Sequence, residues 1–325
     1  MEKLLLAYSI GALLYCPGNK ESVADSIIKE QFGTQYSLAL CLEDTINDNF
    51  VEAAEHTLIQ SLLSIHKARQ QTDFYIPKIF VRVRYPEQIS RIYNQLEDAK
   101  NLLVGFIIPK FSPENADQYI AELIHINKTA TQTVYAMPIL ESHTMIDLHT
   151  RYDVLYFLKS KTDAIKEYVL NIRVGGNDLC HAFGFRRRAD QTIHDITPIA
   201  NLFADIVTIF GRDYVVSGPV WEYYSGPQWE TGLRNEIDRD LLCGFLGKTA
   251  IHPNQIPVIN QCYQVSHEDY QDALSITTWD ETNASMVSGS DNKERMNEVK
   301  THFNWAKKIL IRAKVYGVKP PKNQL

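Results

Sequence analysis

The sequence predicts an α/β protein built on a (β/α)₈ TIM barrel with a C-terminal helical extension. Eight short apolar runs recur along the 325 residues, and their starts lie about 34 residues apart on average. Most runs are continuous rather than alternating, as expected for parallel strands that are covered on both faces. The predicted strands are Ala12–Cys16, Ser37–Leu42, Ile79–Val83, Val104–Ile108, Val134–Leu140, Tyr168–Val174, Tyr214–Val220 and Thr249–Ile251. One strand and one helix, repeated eight times, is the pattern of this barrel, which takes about 250 residues.

Stretches with helical spacing of apolar residues follow the strands and predict the alternating helices. The clearest are Val23–Ile28, Ala53–Ile65, Ala116–Ile126, Ile146–Leu158 and Ile199–Phe210. A doubly wound open sheet also uses strand–helix repeats, but it normally has fewer strands. In addition, no strand here leads into the complete Gly-x-Gly-x-x-Gly fingerprint of a dinucleotide site. The barrel is therefore the preferred interpretation.

The pattern changes after the eighth strand, so we assign residues 1–262 to the barrel and 263–325 to the helical extension. Ser266–Leu274 has the spacing of a short helix and Arg295–Tyr316 that of a long one. Between them, Thr277–Asn292 is rich in Thr, Ser, Asn and Asp, which predicts a loop. Simple packing is the default role of the extension. A lid or an oligomer contact is the alternative, and we expect a homo-oligomer.

The apolar N-terminal stretch Leu4–Tyr15 follows Lys3 and faintly resembles a signal peptide. It runs directly into Cys16-Pro17-Gly18 without a small-x-small cleavage site, and it is too short to span a bilayer. We interpret it as a buried first strand that enters a turn. No other segment approaches membrane length, so we expect a cytoplasmic protein without a membrane segment.

Composition and charge exclude several classes of function. The net charge of −6 argues against a nucleic-acid partner, because affinity for phosphates needs a basic surface. The short basic run Arg186–Arg188 is interpreted as a solvated loop. Five widely spaced cysteines without a Cys-x-x-Cys pair suggest neither a disulfide framework nor a thiolate zinc site. Reduced thiols in the cytosol are the simplest interpretation.

Charged residues at the ends of the predicted strands indicate where chemistry should occur, because barrel enzymes build active sites at the carboxyl ends of their strands. Four carboxylates follow strands two, five and six: Glu43, Asp44, Glu141 and Asp178. Three cations belong to strands three and four: Arg82, Arg84 and Lys110. Carboxylates that share a pocket stay ionised only beside cations or a metal, because like charges repel. Oxygen ligands of this kind suit Mg²⁺, which takes one or two carboxylates and keeps several waters.

Seven short motifs appear in chain order, one at each predicted strand except the seventh. They are Leu14-Tyr15-Cys16-Pro17-Gly18-Asn19, Leu42-Glu43-Asp44, Val81-Arg82-Val83, Ile108-Pro109-Lys110, Leu140-Glu141-Ser142, Gly175-Gly176-Asn177-Asp178-Leu179 and Gly247-Lys248-Thr249-Ala250-Ile251-His252-Pro253. Over residues 11 to 260 this order resembles the citrate lyase β-subunit-like branch of the HpcH/HpaI aldolase superfamily. The spacing, with Ser217–Glu222, is most similar to the divergent carbon–carbon bond lyase group of that branch.

The resemblance implies a role for each matching position. The two metal-binding carboxylates of the family match Glu141 and Asp178, which would hold Mg²⁺ or Mn²⁺. The arginine that holds the substrate's carboxylate or carbonyl oxygen matches Arg82. The acidic pair of strand two matches Glu43 and Asp44, one of which would hydrogen-bond metal-bound water.

This sequence also departs from the family at two positions. The arginine that usually precedes the Pro-Gly turn by six residues is Gly11 here, and that arginine helps to hold acyl-CoA substrates. We therefore expect a free small acid or a non-CoA conjugate, although Lys20 or Arg84 could replace the missing charge. The acidic residue expected before the Gly-Leu after strand seven is displaced, with Glu230 at a shifted position.

Less specific interpretations remain open for several residues. Glu141 and Asp178 could be ion-pair partners of Arg82 and Lys110 at the barrel rim. Lys110 could be a Schiff-base nucleophile, but neighbouring carboxylates should raise its pKa, which favours an electrostatic or structural role. His252 precedes a proline in a tight turn, which favours a structural role over a catalytic base.

The expected function is that of a Mg²⁺-dependent carbon–carbon bond lyase. Its expected substrate is a small oxoacid or carboxylate, and an acyl thioester is the alternative substrate. Cleavage next to a carbonyl would leave an enolate that the metal stabilises as a Lewis acid, and Arg82 would add preorganised positive charge. Two further hypotheses about the function stay open. One is a synthase or thioester hydrolase with the same enolate chemistry, and the other is a non-catalytic barrel that acts as a binding protein.

Overall fold

Eight parallel strands close into a barrel in the computed structural model, which describes residues 2–280, 282, 284–290 and 293–321. They are β1 (Ala12–Pro17), β2 (Ser37–Cys41), β3 (Lys78–Arg82), β4 (Leu103–Ile108), β5 (Tyr135–Leu140), β6 (Ile172–Val174), β7 (Val216–Gly218) and β8 (Phe245–Ala250). Each strand pairs with the next, and β8 pairs with β1 through Ala12 opposite Lys248. The predicted TIM barrel is confirmed.

Helices follow all eight strands along the chain. They are α2 (Val23–Ile28), α3 (Val51–Arg69), α4 (Gln88–Gln95), α5 (Ala116–Asn127), α6 (Arg151–Ala164), α7 (Gly176–Phe183), α8 (Thr197–Phe210), α9 (Trp229–Leu242) and α10 (Gln255–Tyr263), after α1 (Glu2–Tyr8). Strand side chains such as Leu13, Phe80 and Ile107 are fully buried, which explains why the apolar runs are continuous rather than alternating.

The chain divides into two compact units. The barrel unit is Ile10–Ile259, and the second unit combines the residues up to Ser9 with those from Asn260 onward. Within the second unit lie α11 (His267–Thr277), α12 (Val299–Tyr316) and the antiparallel pair β9 (Val287–Gly289) and β10 (Met296–Glu298). Ala306, Ile309 and Ala313 recur at helical spacing on α12 and pack in one core with Ala273 and Ile276 of α11. The predicted C-terminal helices are confirmed.

Several local predictions differ from the structure. Residues Glu2–Tyr8 are helical, and the strand begins only at Ala12. The predicted loop Thr277–Asn292 contains β9, whose partner β10 comes from outside the predicted loop; Glu281, Asn283, Asp291 and Asn292 lie outside the described residues. The eighth strand begins at Phe245, four residues before the predicted start, because the buried Lys248 interrupts its apolar pattern.

Within the part of the chain that the structure describes, no helix combines the length and the hydropathy that a membrane span requires.

Candidate functional site

A cleft of about 260 Å³ lies at the carboxyl ends of the barrel strands. Its lining residues come from β1 and from the ends of strands β2, β3, β5, β6, β7 and β8. They are Tyr15, Asp44, Thr45, Arg82, Ile139, Glu141, Arg173, Val174, Gly175, Gly176, Asn177, Asp178, Val220, Thr249 and Ile251. Both predicted metal ligands, Glu141 and Asp178, line this cleft together with Arg82 and Asp44. The predicted residues Glu43 and Lys110 do not line the cleft themselves, but both contact Asp44, which does.

Arg82, the last residue of β3, is the charged centre of this cluster. Its Nη2 lies 2.9 Å from Glu43 Oε2, 3.1 Å from Asp44 Oδ2 and 3.1 Å from Glu141 Oε1. Its side chain is only 8% exposed, so solvent screens these ion pairs only weakly. Glu141 raises the pKa of Arg82 although burial opposes this effect, and the guanidinium therefore stays charged.

Lys110 connects the acidic pair of strand two to the rest of the cluster. Its Nζ donates to Glu43 Oε1 at 2.6 Å and to Asp44 Oδ1 at 3.0 Å, while its backbone N–H donates to Glu141 Oε1 at 3.0 Å. Its φ of 46° is in the left-handed region, which is uncommon for a residue other than glycine and is often found at functional sites. The two carboxylates raise the pKa of Lys110 against the effect of burial, which disfavours a Schiff-base nucleophile.

Glu43 and Asp44 titrate as a coupled pair. Burial and the hydrogen bond with Asp44 raise the pKa of Glu43. For Asp44, burial opposes the shift, but the hydrogen bond with Glu43 and the charges of Arg82 and Lys110 lower the pKa to about 2. The two carboxylates therefore take up a proton as a pair, and the cations beside them favour the ionised form of Asp44.

Glu141 carries the most perturbed carboxylate of the cleft. It directly follows β5 and its side chain is 2% exposed. Burial, with smaller contributions from the charges of Asp178 and Glu43, raises the pKa of Glu141 to about 7, although Arg82 and the Lys110 N–H oppose this shift. Burial therefore disfavours the ionised form of Glu141 despite the neighbouring Arg82 guanidinium.

These features fit a divalent cation bound to oxygen ligands. Glu141 directly follows β5 and Asp178 lies in the first turn of α7, after β6, and added positive charge would offset the cost of burying an ionised Glu141. Among the described residues, no group of three or more His, Cys, Asp or Glu side chains could hold a metal. Waters or substrate oxygens would therefore have to complete the coordination shell, which Mg²⁺ commonly accepts.

Gly175 leaves the space that the Glu141 carboxylate occupies. A Cβ at this position would lie 1.8 Å from Glu141 Oε2 and 2.4 Å from Glu141 Cβ, far below van der Waals contact. We expect Gly175→Ala to displace the carboxylate, to weaken Mg²⁺ binding at least about tenfold and to destabilise the fold by about 1–3 kcal/mol, as overpacking does.

Calorimetric titration with Mg²⁺ and urea denaturation would measure both effects of Gly175→Ala. The matched control is Gly289→Ala, where an added Cβ meets one atom of the described residues, at 4.0 Å. Unchanged Mg²⁺ affinity in Gly175→Ala would contradict the assignment of Glu141 as a ligand.

Arg173 was not among the predicted site residues, but it is 2% exposed and lines the cleft from the middle of β6. Its Nη2 donates to Thr249 Oγ1 of β8 at 2.7 Å. Tyr15 of β1 lines the same cleft, with its ring centroid 5.9 Å from Arg82 Cζ. The signal for Arg173 was present in the sequence, because it is an arginine inside an apolar strand run.

Other polar residues near the strand ends lie outside the cleft lining. His252 stacks on Tyr224 with ring centroids 4.9 Å apart, and its Nδ1 accepts a hydrogen bond from the Asn254 N–H, which agrees with a structural role. Glu230 is exposed on α9 and pairs with Arg234 at 2.7 Å. The displaced acidic residue is therefore not part of this site.

The position of Gly11 has a conformational explanation. Its φ of 55° is in the left-handed region, where an arginine would be strained. Arg84, one candidate to replace the missing charge, donates to the carbonyl oxygens of Leu42 and Glu43 at 3.1 and 2.8 Å and pairs with Asp48. Arg84 is thus engaged in holding the loop after β2.

Comparison of the sequence with protein families gives one match, over residues 4–318, to the family described as C–C bond lyase of the TIM-barrel fold. No curated protein matches the chain.

Solved structures with the same fold include three from two bacteria. CitE from Mycobacterium tuberculosis, in complex with magnesium, acetoacetate and coenzyme A, is 18% identical with a TM-score of 0.62, covering 95% of this chain and 99% of that one. The citrate lyase β subunit from the same organism, complexed with oxaloacetate and magnesium, is 18% identical with a TM-score of 0.52, covering 79% and 98%. A citrate lyase from Burkholderia xenovorans LB400 is 15% identical with a TM-score of 0.70, covering 97% and 94%.

Proposed function

Because this chain belongs to the carbon–carbon bond lyase family of the TIM-barrel fold, we propose that it is a Mg²⁺-dependent enzyme that cleaves or forms a carbon–carbon bond next to a carbonyl group. The substrate in this proposal is a small oxoacid or carboxylate. The observation that carries the proposal is the placement of two carboxylates, Glu141 and Asp178, with the Arg82 guanidinium in one cleft at the carboxyl ends of the strands. Relatives of the same fold that were crystallised with magnesium and oxoacids support it.

Glu141 and Asp178 would hold the metal. When bound, Mg²⁺ supplies Lewis-acid stabilisation of negative charge on a carbonyl oxygen. Glu141 must be ionised to serve as a ligand, so the affinity for Mg²⁺ should rise with pH and level off above about 7, the pKa of this carboxyl.

Arg82 would bind and orient the carboxylate or carbonyl oxygen of the substrate. Its positive charge is fixed in place by Glu43, Asp44 and Glu141 before any substrate arrives. When the carbon–carbon bond breaks, negative charge develops on the enolate oxygen. A preorganised guanidinium stabilises that charge without having to reorient, which is the usual source of a large rate effect.

Glu43, Asp44 and Lys110 would position Arg82 and control local protonation. Lys110 holds both carboxylates at 2.6 and 3.0 Å, and the raised pKa of Glu43 gives this pair a carboxyl able to take up a proton near Arg82.

The substrate is proposed to be a free acid rather than a CoA thioester. Phosphates of CoA are usually held by Arg or Lys through charge-assisted hydrogen bonds, and Gly11 provides no such group. Arg84 is committed to the loop after β2.

The experiment is an untargeted metabolite screen with the full chain and Mg²⁺, followed by product analysis for candidate free acids and their CoA thioesters. We expect cleavage of a small free acid that stops on addition of EDTA and resumes with Mg²⁺. Direct binding of acetyl-CoA should be weaker than that of the free acid substrate by about tenfold or more, the scale of a lost charged hydrogen bond. Micromolar acetyl-CoA affinity with no affinity for free acids would overturn the free-acid proposal, and metal-independent turnover would overturn the mechanism.

A further inference from the structure

We propose that Glu236 and Arg187 are positioning residues for the proposed metal ligand Asp178. They fix two chain segments that pack against the start of α7, and in this way they set where the Asp178 carboxylate lies in the cleft. This inference rests on the proposed function, because Asp178 is a metal ligand only in that proposal. Both residues act from outside the lining of the cleft.

The first observation is the close packing around the start of α7. Gly176 is the first residue of this helix, and Asp178 lies in its first turn. A Cβ at Gly176 would lie 2.5 Å from Ile193 Cδ1 and 2.8 Å from Pro219 Cβ, so these two side chains fill the space beside the glycine. We call Ile193 and Pro219 the α7 clamp. The backbone that carries Asp178 has little freedom to shift while both side chains of the clamp stay in place.

The second observation is that one carboxylate holds both halves of the α7 clamp. Glu236 Oε2 accepts a hydrogen bond from the backbone N–H of Ile193 at 2.8 Å, and both residues are fully buried. The same carboxylate pairs with Arg187 through two contacts, at 2.7 Å to Nε and 3.0 Å to Nη2. Arg187 Nη2 also donates to the carbonyl oxygen of Val220, the residue after Pro219. Glu236 therefore fixes one half of the clamp directly and the other half through Arg187, with the directional geometry of a bidentate pair.

The third observation is the buried charge network to which Glu236 belongs. Lys248 Nζ donates to Glu236 Oε1 at 2.8 Å and to Asp240 Oδ2 at 2.6 Å, and His194 Nε2 lies 2.7 Å from Asp240 Oδ1. The two carboxylates balance the formal charges of Lys248 and Arg187, and each of these four side chains is at most 3% exposed. Buried ion pairs of this kind often stabilise a protein no more than apolar residues of similar volume would. Precise placement of the chain segments that they hold is therefore a better explanation of this network than stability alone.

The position of Asp178 matters because Mg²⁺ demands a near-ideal octahedral arrangement of oxygen ligands. Residues that hold a ligand from outside the coordination shell typically change metal affinity by about 10–100-fold when they are replaced. Glu141 is held separately from the α7 clamp, since the Arg82 guanidinium and the Lys110 N–H contact its Oε1 at 3.1 and 3.0 Å. Loss of the network behind the clamp should therefore displace Asp178 relative to Glu141 and weaken Mg²⁺ binding.

Metal binding by variants of the network tests this inference. We would titrate the wild type, Glu236→Gln and Arg187→Met with Mg²⁺ in a calorimeter, and record the electron paramagnetic resonance spectrum of bound Mn²⁺. Both variants should bind Mg²⁺ about tenfold more weakly or worse, and the Mn²⁺ spectrum should change because the ligands are rearranged. The matched control is Glu55→Gln, which alters another buried carboxylate that pairs with an arginine, Arg91, through both oxygens at 2.6 Å. It should lower the Tm but leave the Mg²⁺ affinity and the Mn²⁺ spectrum unchanged.

A milder pair of substitutions tests the α7 clamp and decides the matter if Glu236→Gln and Arg187→Met do not fold. Gly176→Ala adds a methyl group where Ile193 Cδ1 lies, so it should displace the start of α7 and weaken Mg²⁺ binding about tenfold. Ile193→Val removes that Cδ1 atom and should have a small effect by itself. The double variant should recover part of the lost affinity, because the new methyl group enters the vacated space. Two changes that only destabilise the fold would not show this recovery, since their effects add.

Two results would overturn the positioning role and leave the proposed function standing. One is wild-type Mg²⁺ affinity in Glu236→Gln and Arg187→Met together with a lowered Tm, which would make the network purely structural. The other is a double variant of Gly176 and Ile193 that binds Mg²⁺ no better than Gly176→Ala alone. If the wild type binds no Mg²⁺, the proposed function fails together with the positioning role.

Discussion

Replacement of Glu141 by Gln, or of Asp178 by Asn, is expected to abolish detectable Mg²⁺ binding and to lower turnover by about 10²–10³-fold or more, the scale for loss of one preorganised electrostatic group. Both side chains line the same cleft, and neither substitution changes side-chain volume appreciably. Isothermal calorimetry with Mg²⁺ and product formation would measure the two effects. Asp190→Asn, which alters an exposed loop carboxylate paired with Arg188, is the control and should leave both unchanged.

The stability of the metal-free protein shows whether Glu141 is a metal ligand or a structural ion-pair partner. The pKa of Glu141 is raised to about 7 from a reference value of 4.5, so the folded state holds its proton more tightly than the unfolded state. The contribution of this group to stability is therefore complete below about pH 4.5 and is lost as pH rises through 7. Glu141→Gln should remove that decline and raise the Tm of the metal-free protein at pH 8. A lowered Tm at pH 8, together with unchanged Mg²⁺ affinity, would identify Glu141 as a rim ion-pair partner.

Arg82→Met should produce the largest combined loss of activity and stability. It removes the cation that lies within 3.1 Å of Glu43, Asp44 and Glu141, and two of these carboxylates are buried. Breaking a buried pair by removing one partner costs about 3–5 kcal/mol, because the remaining charges lose their compensation. Urea denaturation at pH 8 measures this loss, and turnover should fall by about 10²–10³-fold.

The pH dependence of Arg82→Met follows from the same charges. Without the guanidinium, the already raised pKa values of Glu43 and Glu141 rise further, so protonation neutralises both groups more readily. The difference in stability from the wild type should therefore shrink between pH 8 and pH 5. Arg234→Met, which breaks a half-exposed pair with Glu230, is the control and should cost about 1 kcal/mol or less at both pH values. A constant deficit across this range would show that lost packing, rather than charge, causes the destabilisation.

The strand ends explain why much of the site could be predicted. Parallel strands in a closed barrel all present their carboxyl ends at one rim, so residues far apart in the chain are brought together by the topology alone. Asp44, Arg82, Glu141 and Asp178 were assigned to that rim from their positions within or after apolar runs, and the structure places all four in one cleft. The positions of short helices such as α4 and α7, which have eight residues each, were not predicted.

The sequence alone determined the barrel, because the repeat of buried strand and amphipathic helix depends on local periodicity, which any one segment carries by itself. The tertiary structure, in contrast, decided which charged side chains of strands and loops are buried. Lys248 of β8 is fully buried because Glu236 and Asp240 of α9 accept from its Nζ at 2.8 and 2.6 Å. Arg187, predicted to be solvated, is 3% exposed because it pairs with the same Glu236 at 2.7 Å. An ionised side chain is buried only where a partner from another element meets it, and periodicity along one segment does not specify that partner.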